Sequence, residues 1–175
     1  MNAGLTAAQK QLVSGYDKSL FKGAVACAKA NDFAQTSGFS KKTASVSFES
    51  AFSINFYMPP ANAVAGNMTL YVWTPEVYAK ASRLTKVNAM TVVMTKGTDG
   101  RYFAQVSGIA AKALDDTYYV AAVYTDGNGN SQCTGVIAYS LSKYCMNNAA
   151  PGKDMQSLAA NTAMYGYYAK LYFTK

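Results

Sequence analysis

The sequence predicts a mainly-β fold, a two-layer sandwich with an α-helix at each end of the chain. In residues 44–48, 52–58 and 68–72, apolar side chains recur at every second position, the period of half-buried strands. Two runs rich in β-branched and aromatic residues, 118–124 and 133–141, flank Thr125-Asp126-Gly127-Asn128-Gly129-Asn130-Ser131. Those Gly, Asn and Asp residues suit the tight reversal of a hairpin. At both ends of the chain the apolar spacing changes to three and four, the period of a helix.

Residues 5–31 read as helical, with Leu5, Leu12, Tyr16, Leu20 and Ala24 near helical spacing and Thr6 as the cap. Gly15 and Gly23 are places where that helix could break. From Lys41 the alternation begins. Ala44, Val46 and Phe48 form one strand face, and Phe52, Ile54, Phe56 and Met58 form the next. Pro59-Pro60 closes the second strand, because proline offers no donor to a ladder. Met68, Leu70 and Val72 begin a third strand, with Tyr71 and Trp73 on its other face. Thr74-Pro75-Glu76 then has the chemistry of a helix start. A fourth strand is expected at 91–95 and a fifth at 102–106, joined by the Lys96-to-Gly100 turn. Gly108 to Leu114 reads as a corner between sheets, leading into the central hairpin.

In that hairpin Val120, Ala121, Ala122 and Val123 are continuous, so both faces of the strand should be covered. A short helix follows at 142–148 and is stopped by Pro151-Gly152. In the last segment Met155, Leu158, Thr162, Tyr165, Ala169 and Tyr172 form a mostly apolar stripe at helical spacing. The expected architecture is an immunoglobulin- or fibronectin-like sandwich of about seven strands with N- and C-terminal helices packed on it. Its parts are a helical segment at 1–38, the β-sandwich at 39–148 and the terminal helix at 149–175.

The chain has 175 residues, enough for one domain with a sizeable core. Half the residues are hydrophobic and 14% are charged, which argues against disorder. No run approaches the ~18 apolar residues of a membrane span, so direct membrane insertion is not expected. The first residues lack the features of a secretory signal. Met1 reads as a start placed on a piece of a longer protein, whose signal and anchor would lie elsewhere.

The net charge is +7, yet only Arg83 and Arg101 of the 16 basic residues can form bidentate contacts, and the lysines are scattered. Scattered lysines indicate a solvated surface, so nucleic acid is not an expected partner.

The sequence has no histidine and no Cys-x-x-Cys pair, which excludes ordinary zinc sites and the histidine-based triads. Cys133 and Cys145 could be bridged or free; Cys27 is the odd one. The 9 carboxylates fall mostly at turns and strand ends and do not form a glycosidase pair in sequence. Asp126-Gly127-Asn128-Gly129-Asn130 has the oxygen spacing that opens a calcium loop, but it lacks the later Glu and is also a good hairpin turn. No metal, no cofactor and no catalytic residue are expected, and the chain reads as a non-enzyme.

The candidate binding residues are aromatic. The sequence holds 14 Tyr, 8 Phe and Trp73. Tyr165, Tyr167, Tyr168 and Tyr172 cannot all face inward on one helix, so some are exposed or pack on the first helix. With Trp73 and Tyr71 they form the candidate surface, suited to a protein partner or, as the alternative, to stacking on sugar rings; core and interface packing is the other reading of these aromatics, and for Trp73 that means a buried sandwich tryptophan. Gly15-Tyr16-x-x-x-Leu20-Phe21 also echoes Gly166-Tyr167-x-x-x-Leu171-Tyr172. Chance likeness and a tandem array of modules separated by such helices both account for that echo.

Several strings carry a family resemblance: Ser45-Val46-Ser47-Phe48-Glu49 with Ile54-Asn55-Phe56-Tyr57, then Leu70-Tyr71-Val72-Trp73-Thr74, and Val106-Ser107-Gly108-Ile109-Ala110-Ala111-Lys112. The 118–139 hairpin and Tyr165-Gly166-Tyr167-Tyr168-Ala169-Lys170 complete the set. Together they resemble an uncharacterised module of large cell-surface proteins of Gram-positive gut anaerobes, found beside immunoglobulin-like or leucine-rich repeat domains. The resemblance covers roughly residues 41–175. It implies secretion, attachment to the cell wall or surface, and a non-catalytic role in binding a host or bacterial surface protein. It brings no catalytic motif and no binding residues. Host immunoglobulin is a partner suggested by that setting, and a structural spacer is the remaining alternative.

Overall fold

The computed structural model describes residues 15–40, 43–48, 51–58 and 66–174. These residues are mainly β, with nine strands in two antiparallel sheets and three α-helices. The first sheet contains β1 (Thr43–Ser47), β2 (Phe52–Met58), β5 (Thr95–Lys96) and β6 (Tyr102–Ile109), in the order β1-β2-β6-β5. The second contains β3 (Gly66–Trp73), β4 (Met90–Val93), β7 (Tyr118–Asp126), β8 (Ser131–Cys133) and β9 (Ile137–Tyr139). Its order is β4-β3-β7-β8, with β9 also paired to β7. The helices are α1 (Pro75–Lys80), α2 (Leu141–Asn148) and α3 (Gln156–Phe173).

The alternation read from the sequence places the core. Ile54, Phe56 and Met58 of β2, Met68, Leu70 and Val72 of β3, Ala104 and Val106 of β6, and Val120 and Ala122 of β7 form one buried cluster drawn from both sheets. Outside the first sheet the alternate residues are mostly polar, apart from the Tyr57 and Phe103 pair. Asn55 Nδ2 donates to the hydroxyls of Ser45 and Ser47 at 3.3 and 2.9 Å, and Gln105 Nε2 donates to Asn55 Oδ1 at 3.0 Å. Outside the second sheet they are apolar. Trp73, Tyr119, Ala121 and Val123 form a separate buried cluster with Phe33 and Leu84. The continuous apolar run of β7 is therefore covered on both faces, as its composition predicts.

The strand count exceeds the expected seven because two expected strands each divide. The fourth becomes β4 in one sheet and β5 in the other, with the chain changing sheets at the buried Met94. The second arm of the central hairpin becomes β8 and β9. Between them the Thr134 hydroxyl accepts from the Ala122 N–H at 3.0 Å, and Gly135 adopts φ 71°, a region open to glycine. A side-chain oxygen thus replaces one rung of the ladder.

The helix expected over 5–31 is not present where the chain is described. Residues 15–40 contain one 3₁₀ turn, Lys18–Leu20, and otherwise run as an extended strap; the remainder of the expected helix lies outside the described residues. Tertiary partners override local propensity here. Asp115 Oδ1 accepts from the N–H groups of Lys22 and Gly23, Thr117 Oγ1 from Val25 and the Tyr78 hydroxyl from Ala28. Phe21, Phe33 and Phe39 anchor the strap in three different clusters, which no single helical stripe could reach. Lys29 Nζ donates to the carbonyls of Tyr78, Ala79 and Ala81, closing the C-terminal end of α1 with a cation. The other end of α1 is capped as expected, with Thr74 Oγ1 accepting from the Val77 N–H.

Candidate binding surface

The six candidate aromatic residues do not converge. Trp73 is 0% exposed. Its Nε1 donates to Asn88 Oδ1 at 2.7 Å, and its ring meets Phe33 edge-on at 4.9 Å. Asn88 Oδ1 also accepts from the Thr85 N–H, and its Nδ2 donates to the Arg83 carbonyl. Trp73 is therefore a satisfied core tryptophan, and the expectation that it offers a stacking platform is corrected. Tyr71 is half-buried on the same side of the sheet, 5.3 Å from Phe33, with Lys86 Nζ 5.8 Å from its ring centre.

The other four lie on α3, where the stripe at 155, 158, 162, 165, 169 and 172 does not face inward. The buried face is Gln156, Ala159, Ala160, Thr162, Ala163 and Gly166, and of the expected stripe only Thr162 belongs to it. The alanines and the glycine of this face let the helix approach α2 and the 3₁₀ turn Ala111–Ala113 closely. At Gly166 the approach is closest, since a Cβ there would lie 2.1 Å from Leu114 Cδ1. A helix held so near its neighbours cannot turn leucines and tyrosines toward them.

The large side chains therefore point outward. Tyr165, Tyr168 and Tyr172 are 60%, 61% and 72% exposed, joined by Leu158, Leu171 and Phe173. Tyr167 is half-buried, edge-on to Phe21 at 6.3 Å, so it fixes the strap to the helix. Leu158, Tyr165 and Tyr172 recur at seven-residue intervals with Tyr168 between them, which makes a continuous outward band. Sequence reasoning singled out the tyrosines but missed Leu158, Leu171 and Phe173 as exposed partners. The available signal was the excess of Ala and Gly on the opposite side of the same helix.

Beneath the last turns of α3 lies a cavity of ≈ 310 Å³, bounded by residues 20–22 of the strap and by the Leu114 region. Asp115 at its base is occupied: besides the two strap N–H groups it accepts from the Ser142 hydroxyl at 2.7 Å. Asp116 lies 3.9 Å from Lys170 Nζ. Burial raises its carboxyl above the ordinary range, Lys170 draws it back, and Asp115 adds to the upward push.

The thiols offer little chemistry. All three cysteines are free. Cys145 is fully buried beside α3, and burial pushes its thiol up to about 12; burial also raises Cys133. Asp126 binds its own turn, with Oδ1 accepting from the N–H groups of Asn128 and Asn130 at 2.9 and 2.8 Å. Among the described residues no three His, Cys, Asp or Glu side chains group to hold a metal ion, and no helix is long and apolar enough to cross a membrane. Compared with known proteins, the chain matches no family model and no curated protein.

Proposed function

We propose that the chain is a non-catalytic, extracellular immunoglobulin-like module that binds a protein through the outward face of α3. The carrying observation is the inversion of that helix: small residues inside, with Tyr165, Tyr168 and Tyr172 at least 60% exposed outside. Contiguous exposed apolar side chains mark interaction surfaces, and tyrosine gives large contact area at low entropic cost. A helix presenting anchors at such spacing suits a groove on a partner.

The immunoglobulin-like reading is supported by strand order. With β1, β2, β5 and β6 taken as A, B, D and E, and β3, β4, β7 and β8 as C, C′, F and G, the sheets read ABED and C′CFG. One departure stands out. Trp73 lies on the strand in the C position but faces the strap instead of the space between the sheets. Surface placement and a host partner rest on the sequence resemblance. The glycan alternative loses its tryptophan platform with Trp73 buried.

The test is calorimetric titration of the chain with serum immunoglobulin G and with secretory immunoglobulin A. Binding to either, weakened about tenfold or more in the Y165S/Y168S/Y172S variant with melting temperature unchanged, supports the reading. Silence toward both, or binding indifferent to the three substitutions, overturns it.

A further inference from the structure

The cavity under the end of α3 shares Leu171 with that outward face but none of its three exposed tyrosines. Its walls are apolar, formed by Phe21 of the strap, Leu114 and Leu171. Three cations stand around it: Lys22, Lys112 and Lys170. Two carboxylates stand beside them: Asp115, which lines the cavity and accepts from two strap N–H groups and the Ser142 hydroxyl, and Asp116, across from Lys170; the three lysines outnumber them by one charge. Lys22 and Lys112 make no ion pair among the described residues, and Lys112 Nζ rests 5.8 Å from the Phe173 ring centre. An apolar chamber of this size is at the lower end of small-molecule sites.

We propose that this cavity binds a small amphiphilic carboxylate, an aliphatic or aromatic body ending in one anionic group. The body replaces water against Phe21, Leu114 and Leu171, and the carboxylate sits at the rim between Lys22 and Lys112. Charge complementarity selects the occupant. The chain's own residues 1–14 contain no Asp or Glu, so they cannot supply the anion that the lysines lack. The exposed ammonium groups of Lys22 and Lys112 favour an anion over a neutral polar end.

The test uses the full chain with sodium decanoate as the probe and decanol as its uncharged counterpart, followed by calorimetry and thermal shift. Saturable binding of decanoate, with decanol about tenfold weaker, is the expected result. In K22M/K112M the decanoate affinity falls about tenfold while decanol is unaffected. In Y165S/Y168S/Y172S decanoate binding is unchanged, which separates this site from the outward face of α3. Equal affinity for the acid and the alcohol overturns the proposal, as does loss of binding in the tyrosine variant. Binding that emerges only in L12S/V13S also overturns it, because the chain's own N-terminal segment is then the occupant.

Discussion

Two aromatic-bearing faces lie outside the inter-sheet core, and the described chain covers one of them. The outer face of the second sheet carries Tyr71, Trp73 and Tyr119 and is closed by the strap through Phe33. The outward face of α3 carries Tyr165, Tyr168 and Tyr172 and meets no comparable cover among the described residues. Composition does not separate them. The difference lies in what holds the covering segment: the strap's N–H groups find fixed acceptors on Asp115, Thr117 and Tyr78, so its path over the sheet is specified. Covering an apolar face requires backbone partners for the segment that covers it.

The largest effect follows from opening the covered face. Trp73→Ala removes a fully buried ring and one of the two donors to Asn88 Oδ1, so unfolding should become easier by about 3–5 kcal/mol. The midpoint of urea denaturation checks this. A loss below about 1 kcal/mol would mean that the strap does not seal the face as described.

The same contrast shows which features could be read from the residues alone. The alternation in β2 and β3, the Asp126 turn and the Thr74-Pro75 helix start are local patterns, and local patterns survive in the fold. The strap could not be read that way. Its Tyr16, Leu20 and Ala24 have helical spacing, but its conformation is set by acceptors far along the chain, such as Asp115 for Lys22. The two strand divisions, at Met94 and at Thr134, likewise depend on which sheet offers a partner. On α3 the periodicity located a real stripe but not its direction. A stripe of large residues and a stripe of small ones have the same period, and close approach to Leu114 decides between them.

That decision can be tested at Gly166. Gly166→Ala places a methyl against Leu114 and should destabilise the fold by about 1–3 kcal/mol, although alanine favours a helix. Tyr165→Ala, one residue away on the outward face, should stay within about 0.5 kcal/mol. Thermal unfolding of the two variants side by side checks the inversion. A reversed order would return the large residues to the interior.

The most direct probe of the cover is at Asp115. Asp115→Ala removes the acceptor for two strap N–H groups and for the Ser142 hydroxyl. The strap N–H groups reach solvent in part, so the cost should be about 1 kcal/mol, well below that of an orphaned core donor. The loss should be local, because Phe21 and Phe33 still anchor the strap in two clusters. The thiols report where it occurs. Cys133 sits at the strap's far edge, where its N–H donates to Thr36 Oγ1, and its thiol is raised by burial. Cys145 lies under α3, fully buried and raised further. If the strap lifts as a unit in the variant, a disulfide reagent at neutral pH should label Cys133 faster than in the parent chain, with Cys145 still protected. Equal acceleration at both thiols would indicate global loosening, and no acceleration at either would show that the phenylalanine anchors hold the cover without Asp115.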